Sequence, residues 1–83
     1  MKVHLRYFAS VREALGQGSE TVDTAAGTLA ALRDELIARG GAYAESLARG
    51  KAVRMALNQA LCEETATLAD GVEVAFFPPV TGG

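Results

Sequence analysis

The residues of this chain best placed to do chemistry are its last ones. Phe77-Pro78-Pro79-Val80-Thr81-Gly82-Gly83 closes an 83-residue sequence, and the reactive group it offers is the carboxylate of Gly83. Glycine buries no side chain and is costly to order, so a Gly-Gly end contributes little as packing. It suits a carboxylate that must thread a narrow site on another protein, where any Cβ would collide. On this reading Gly83 carries the reacting group and Gly82 is the steric permit. Pro78 and Pro79 fix φ and favour a stiff, extended exit; Phe77, preceding a proline, is pushed the same way. The stretch from Pro78 to Gly83 reaches roughly 20 Å when extended. Incidental chain ends are also small, polar and disordered, but a double proline directly after an apolar strand favours the functional reading.

The rest of the sequence offers little competing chemistry. His4 is the only histidine and Cys62 the only cysteine. An internal disulfide or cysteine-based zinc site is therefore excluded, and a nucleophile–histidine pair or a metal site would have to be built from these two poor candidates. His4 lies between Lys2 and Arg6 and reads as a solvated strand residue. Cys62 reads as a small apolar filler; a sulfur-relay thiol would need a basic neighbour to lower its pKa, and none is adjacent. Gly16 and Gly18 sit in no phosphate-binding pattern. The net charge is −2, with the eight basic residues scattered, which argues against a nucleic-acid surface. No apolar run approaches a membrane span, and Met1-Lys2 leads straight into an alternating strand rather than a signal peptide. A cytoplasmic protein that binds no metal or cofactor of its own is expected.

Several elements must position the tail. Lys2 to Phe8 alternates, with Val3, Leu5 and Tyr7 inward and Phe8 outward. Ser10-Val11-Arg12-Glu13 fits a capping box, with Ser10 as N-cap of a short helix that stops at Gly16. Ser19 to Val22 reads as a second strand. Thr28 should cap the main helix, Leu29 to Arg39, whose apolar stripe is Leu29, Leu32, Leu36 and Ile37, with Arg33, Asp34, Glu35 and Arg39 off it. Gly40-Gly41 stops that helix, and Ala42 to Leu47 forms another brief turn. Ala52 to Leu57 reads as a strand, with Val53, Met55 and Leu57 inward. Asn58-Gln59 makes a turn, Ala60 to Cys62 a short return strand, and Glu63-Glu64 a solvated loop. Asp70-Gly71 opens the last strand, Val72 to Phe77.

This order fits an α+β fold: one main helix across one face of a mixed sheet of four to five strands. That is the ubiquitin-like β-grasp, in which the first and last strands run parallel at the sheet centre. One domain, 1–77, then carries the tail, 78–83. By parity Glu73, Ala75 and Phe77 face away from the helix, as Phe8 does. Phe8, Phe77 and Leu61 should therefore form an exposed apolar patch for docking a protein partner, continued by Pro78, Pro79, Val80 and Thr81 of the tail.

The run Asp70-Gly71-Val72-Glu73-Val74-Ala75-Phe76-Phe77-Pro78-Pro79-Val80-Thr81-Gly82-Gly83 resembles the small subunits of molybdopterin synthase, a family of sulfur-carrier proteins. So do Tyr7-Phe8-Ala9-Ser10-Val11-Arg12-Glu13 and Leu57-Asn58-Gln59, and the resemblance spans essentially the whole chain. It implies a cycle in molybdenum cofactor biosynthesis. An activating enzyme similar to ubiquitin E1, an adenylyltransferase, uses ATP to adenylate Gly83. A sulfur donor protein converts the acyl-adenylate to a thiocarboxylate. The tail then enters the large synthase subunit, in a two-by-two heterotetramer, and sulfur passes to cyclic pyranopterin monophosphate. The chain would be a sulfur-donating, non-catalytic subunit. The alternatives are a sulfur carrier for thiazole formation or tRNA thiolation, a ubiquitin-like modifier of lysines, and a β-grasp interaction domain whose tail is incidental.

Overall fold

Alternation in the sequence becomes a five-stranded sheet with three helices, seen in a computed structural model that describes residues 1–79. The elements follow in the order β1 (Lys2–Tyr7), α1 (Ala9–Leu15), β2 (Ser19–Asp23), α2 (Leu29–Ile37), α3 (Gly41–Leu47), β3 (Arg54–Leu57), β4 (Ala60–Cys62) and β5 (Glu73–Phe77). The strand order is β2-β1-β5-β3-β4. β1 and β5 run parallel at the centre, with Leu5 opposite Val74 and Tyr7 opposite Phe76. The other pairings are antiparallel. This is the expected β-grasp arrangement, with strands β1, β3 and β5 and helix α2 each one or two residues shorter than the sequence reading.

The core lies between α2 and the sheet. Val3, Leu5, Tyr7, Val74 and Phe76 from the central strands meet Leu29, Leu32 and Leu36 of α2, each no more than 1% exposed. Tyr7 and Phe76 stack with ring centroids 6.2 Å apart. α2 is capped as expected, the Thr28 hydroxyl accepting from the Ala31 N–H at 3.3 Å. Gly40 and Gly41, both at positive φ, turn the chain from α2 into α3. Asn58 and Gln59 both adopt positive φ, the geometry of a two-residue hairpin turn between β3 and β4.

Three expectations need correction. Ser10 does not cap α1: the cap and the helix start lie two residues earlier, with extended Phe8 in the cap position and no side-chain cap. The Phe8 N–H still bonds the Phe76 carbonyl, and the Phe8 carbonyl accepts from Val11 and Arg12, so the chain turns straight out of β1. Arg33 is not off the apolar stripe of α2 but 5% exposed. It lies one helical repeat after Leu29 and one before Ile37, which places it on the same face. Glu64 is not simply solvated, because it accepts from Arg33 at 2.7 Å and from Arg49 at 2.6 Å.

Arg33 closes the end of α3. Its Nε donates to the Leu47 carbonyl at 2.7 Å and its Nη2 to the Ala48 carbonyl at 2.8 Å. The last carbonyls of a helix have no partner within it, and a buried guanidinium carries enough donors to satisfy them and a carboxylate together.

Candidate functional site

Each part of the predicted patch is placed by a different element. Phe8 follows the last residue of β1, Phe77 ends β5, and Leu61 sits at the middle of β4. In register, Ala56 of β3 pairs with Leu61 on one side and with Ala75 of β5 on the other. Directly paired residues point to the same face of a sheet. Two alanines between larger neighbours leave a concavity, and the outer face has one: a recess of about 400 Å³ lined by Arg6, Phe8, Ala56, Gln59, Leu61, Glu73, Ala75 and Phe77. Phe8 is 43% and Leu61 66% exposed, the two most exposed large apolar side chains among the described residues. Phe77 is half-buried. The structure therefore brings Phe8, Leu61 and Phe77 together, as the sequence implied.

Charge enters at the rim. An Arg6 guanidinium nitrogen lies 3.5 Å from a Glu73 carboxylate oxygen, and the Arg6 guanidinium carbon stands 5.7 Å from the centre of the Phe8 ring. Arg54 pairs with Phe77 in the β3–β5 ladder and is exposed. Sequence reasoning left these two arginines out of the patch, although strand parity already put them on the outer face.

Pro78 and Pro79, both half-buried, lead away from β5. Pro78 also lines a second hollow of about 310 Å³, on the helix side, with Ser10, Val11 and Ala14 of α1, Glu45 and Ser46 of α3, and Lys51 to Val53. The chain thus leaves the central strand between two concave surfaces. Val80, Thr81, Gly82 and Gly83 lie outside the described residues.

The other residues weighed in the sequence sit apart from this exit. His4 Nδ1 is 3.0 Å from the Thr21 hydroxyl on the exposed sheet face. Cys62 is half-buried, and burial, reinforced by Glu63, pushes its thiol above the ordinary value. That environment disfavours the thiolate a sulfur relay needs. Among the described residues, no three His, Cys, Asp or Glu side chains gather to hold a metal ion, and no helix is long and apolar enough to cross a membrane.

A polar cluster escaped the sequence reading. Glu20 accepts from Tyr7 at 2.8 Å, Tyr43 at 2.6 Å, Gln17 at 3.0 Å and Arg39 at 3.0 Å. Burial alone would raise the Glu20 carboxyl. The hydrogen bonds from Tyr43, Arg39 and Tyr7 outweigh it and hold the group below the ordinary value. Burial and the same carboxylate push the Tyr7 phenol well above its ordinary range. The cluster joins β1, β2, α2's C-terminal side and α3, and touches neither concavity. Apart from Gln17, its partners are distant from Glu20 in sequence, so no local motif announces it.

Fold and site together define a small β-grasp protein whose central strand ends in Phe77-Pro78-Pro79 beside an exposed apolar recess. The chain belongs to the ThiS family, whose model matches residues 5–83. It is 42% identical over 81 residues to the molybdopterin synthase sulfur carrier subunit of Escherichia coli (strain K12), covering 98% of this chain and 99% of that one. Among solved structures it resembles SAMP1 from Haloferax volcanii, at 26% identity and a TM-score of 0.80 with both chains fully covered. It is likewise similar to a chain in the complex of subunits 1 and 2 of the molybdopterin-converting factor from Helicobacter pylori, at 27% identity and a TM-score of 0.70, again over the full length of both.

Proposed function

We propose that this chain is a sulfur carrier of molybdenum cofactor biosynthesis, acting as the small subunit of molybdopterin synthase. The observation that supports it best is a family match running through Gly83, on a chain whose central strand ends in Phe77-Pro78-Pro79 beside an apolar recess. In the proposed cycle the Gly83 carboxylate attacks the α-phosphorus of ATP on an E1-like adenylyltransferase, and pyrophosphate leaves. Sulfur released at the sulfide level by a sulfur donor protein then attacks the acyl carbon and displaces AMP, leaving a thiocarboxylate. A carboxylate is a poor electrophile until one oxygen becomes a good leaving group, and the thiocarboxylate stores nucleophilic sulfur in covalent form. The recess formed by Phe8, Leu61 and Phe77 seats the large synthase subunit in a two-by-two assembly. Pro78, Pro79, Val80 and Thr81 span the distance to its active site, where sulfur passes to cyclic pyranopterin monophosphate. Charge stabilisation and proton transfer come from the partners, since the tail carries no titrating side chain.

Intact-protein mass spectrometry after incubation with ATP, the activating enzyme and a sulfur source tests the cycle. The expected result is a gain equal to replacing oxygen by sulfur, mapped to Gly83. No gain, with every component active on a known carrier, would overturn it. Gly82→Ala should leave the fold intact and impair transfer; unchanged transfer would remove the narrow-channel argument. The similarity to SAMP1, a small archaeal modifier protein, supports a second reading, conjugation to lysines. Higher-mass bands that depend on Gly83 would favour it.

A further inference from the structure

The sheet face around the recess carries more positive charge than a chain of net charge −2 would lead one to expect. Arg6 pairs with Ala75 across the β1–β5 ladder, and Arg54 pairs with Phe77 across the β3–β5 ladder. The outer face of β5 is thus bracketed by one arginine on each neighbouring strand. Their only counter-charge beside the recess is Glu73, which meets Arg6 through a single contact at 3.5 Å. Arg54 has no ion pair among the described residues. Arg33, Arg39 and Arg49 behave differently, each holding a carboxylate at 3.0 Å or closer. A guanidinium has five donors in a fixed fork. Covering Arg6 and Arg54 with a partner that offers no acceptor would desolvate them without compensation.

We propose that this recess recognises an acidic surface: an apolar knob seated against Phe8, Leu61 and Phe77, with carboxylates beside it taken by Arg6 and Arg54. The inference rests on the reading that the recess docks the large synthase subunit, and it states the chemistry that subunit presents. Glu73 is a selectivity element. It holds Arg6 over the Phe8 ring in the free protein and yields it to a partner carboxylate, since a bidentate arginine–carboxylate pair is stronger than a single long contact. A basic partner would meet two arginines and one carboxylate, so the charge balance favours acidic partners.

The test is titration of the large synthase subunit from the same organism against wild type, Phe77→Asp, Arg6→Gln/Arg54→Gln and Glu73→Gln. Salt is varied from about 0.01 M to about 0.1 M, over which the screening length falls from about 30 Å to about 10 Å. The double arginine variant should bind about tenfold more weakly at low salt, mainly through a slower on-rate, and the gap should narrow at high salt. Glu73→Gln, which frees Arg6, should bind about twofold more tightly. Phe77→Asp should fail to bind at either salt. Wild-type affinity and salt slope in the double arginine variant, with Phe77→Asp still defective, would overturn the acidic partner and leave the docking site standing. Weaker binding by Glu73→Gln would show that the partner presents a cation instead. Normal binding by Phe77→Asp would overturn the docking site itself.

Discussion

On the helix side of β1 and β5, Val3, Leu5, Tyr7, Val74 and Phe76 are at most 1% exposed. On the other side of the same strands stand Arg6, Glu73, Ala75 and Phe77, half-buried or exposed, with Phe8 just beyond the end of β1. Both sets are apolar enough to collapse, yet only one is covered. The difference lies in what sits above each. α2 supplies Leu29, Leu32 and Leu36 to the inner face, while the outer face has two central alanines and no layer. In β5 the even-numbered residues thus hold the fold together while the odd-numbered ones are left without a covering layer.

Adjacent phenylalanines give the sharpest way to break that comparison. Phe76→Ala should cost about 3–5 kcal/mol, the range for emptying a buried aromatic position, while Phe77→Ala should cost about 1 kcal/mol or less. Partner affinity should respond in reverse, with Phe77→Ala losing about tenfold or more. Thermal melts and a binding isotherm on both variants check it; similar stability losses would mean the outer face is core.

The polar supports of the inner layer come next. Arg33→Met keeps much of the side-chain volume but strands the Leu47 and Ala48 carbonyls, and should destabilise by about 2–3 kcal/mol. For a domain of this size that lowers Tm by roughly 8–24 °C, at 4–8 °C per kcal/mol. A variant as stable as wild type would show that water replaces the guanidinium at no cost.

Glu20 makes a pH-dependent contribution. Its folded carboxyl lies below the ordinary value of 4.5, so the unfolded chain binds the proton first as pH drops. The stability it provides is fully present above that value and is lost as pH falls through the folded pKa. Melts between about pH 3 and pH 5 should show a shallower acid limb for Glu20→Gln than for wild type. Tyr7 acts at the other extreme. Above about pH 10 the unfolded phenol ionises and the folded one does not, so stability should fall there as pH rises.

The smallest effect is expected on the outer layer. Gln59 occupies a positive-φ turn position, φ 70°, that glycine fills at less cost. Gln59→Gly should stabilise by about 0.5–1 kcal/mol, read as a small rise in Tm. A loss would mean that the Gln59 side chain, which lines the recess, is held there.

The two faces also differ in how far the sequence reveals them. Strand parity was enough to sort Val74 and Phe76 from Phe77, because a period of two is unambiguous once a strand is recognised. The same parity, with the turn at Asn58-Gln59, brought Leu61 to Phe8 and Phe77. Arg33 was misjudged because residue type outweighed helical spacing: its position between Leu29 and Ile37 already put it on the apolar face. Its partners, the Leu47 and Ala48 carbonyls, are backbone atoms, which leave no signature in a sequence. The Ser10 capping box failed because its local pattern competed with a tertiary tie, the Phe8 N–H to the Phe76 carbonyl. The Glu20 cluster draws on five residues spread from Tyr7 to Tyr43, and only the fold assembles them.

The central place of β5 has a mechanical meaning. The strand that leads into Pro78 is hydrogen-bonded on both sides, to β1 in parallel and to β3 in the opposite sense. A pull on the tail therefore loads two ladders at once along their length. In that geometry many hydrogen bonds share the force and must yield together, whereas an edge strand would peel one bond at a time. Whatever follows Pro79 is thereby anchored like a rope spliced into the middle of a cable, so that tension on it is spread across both neighbouring strands.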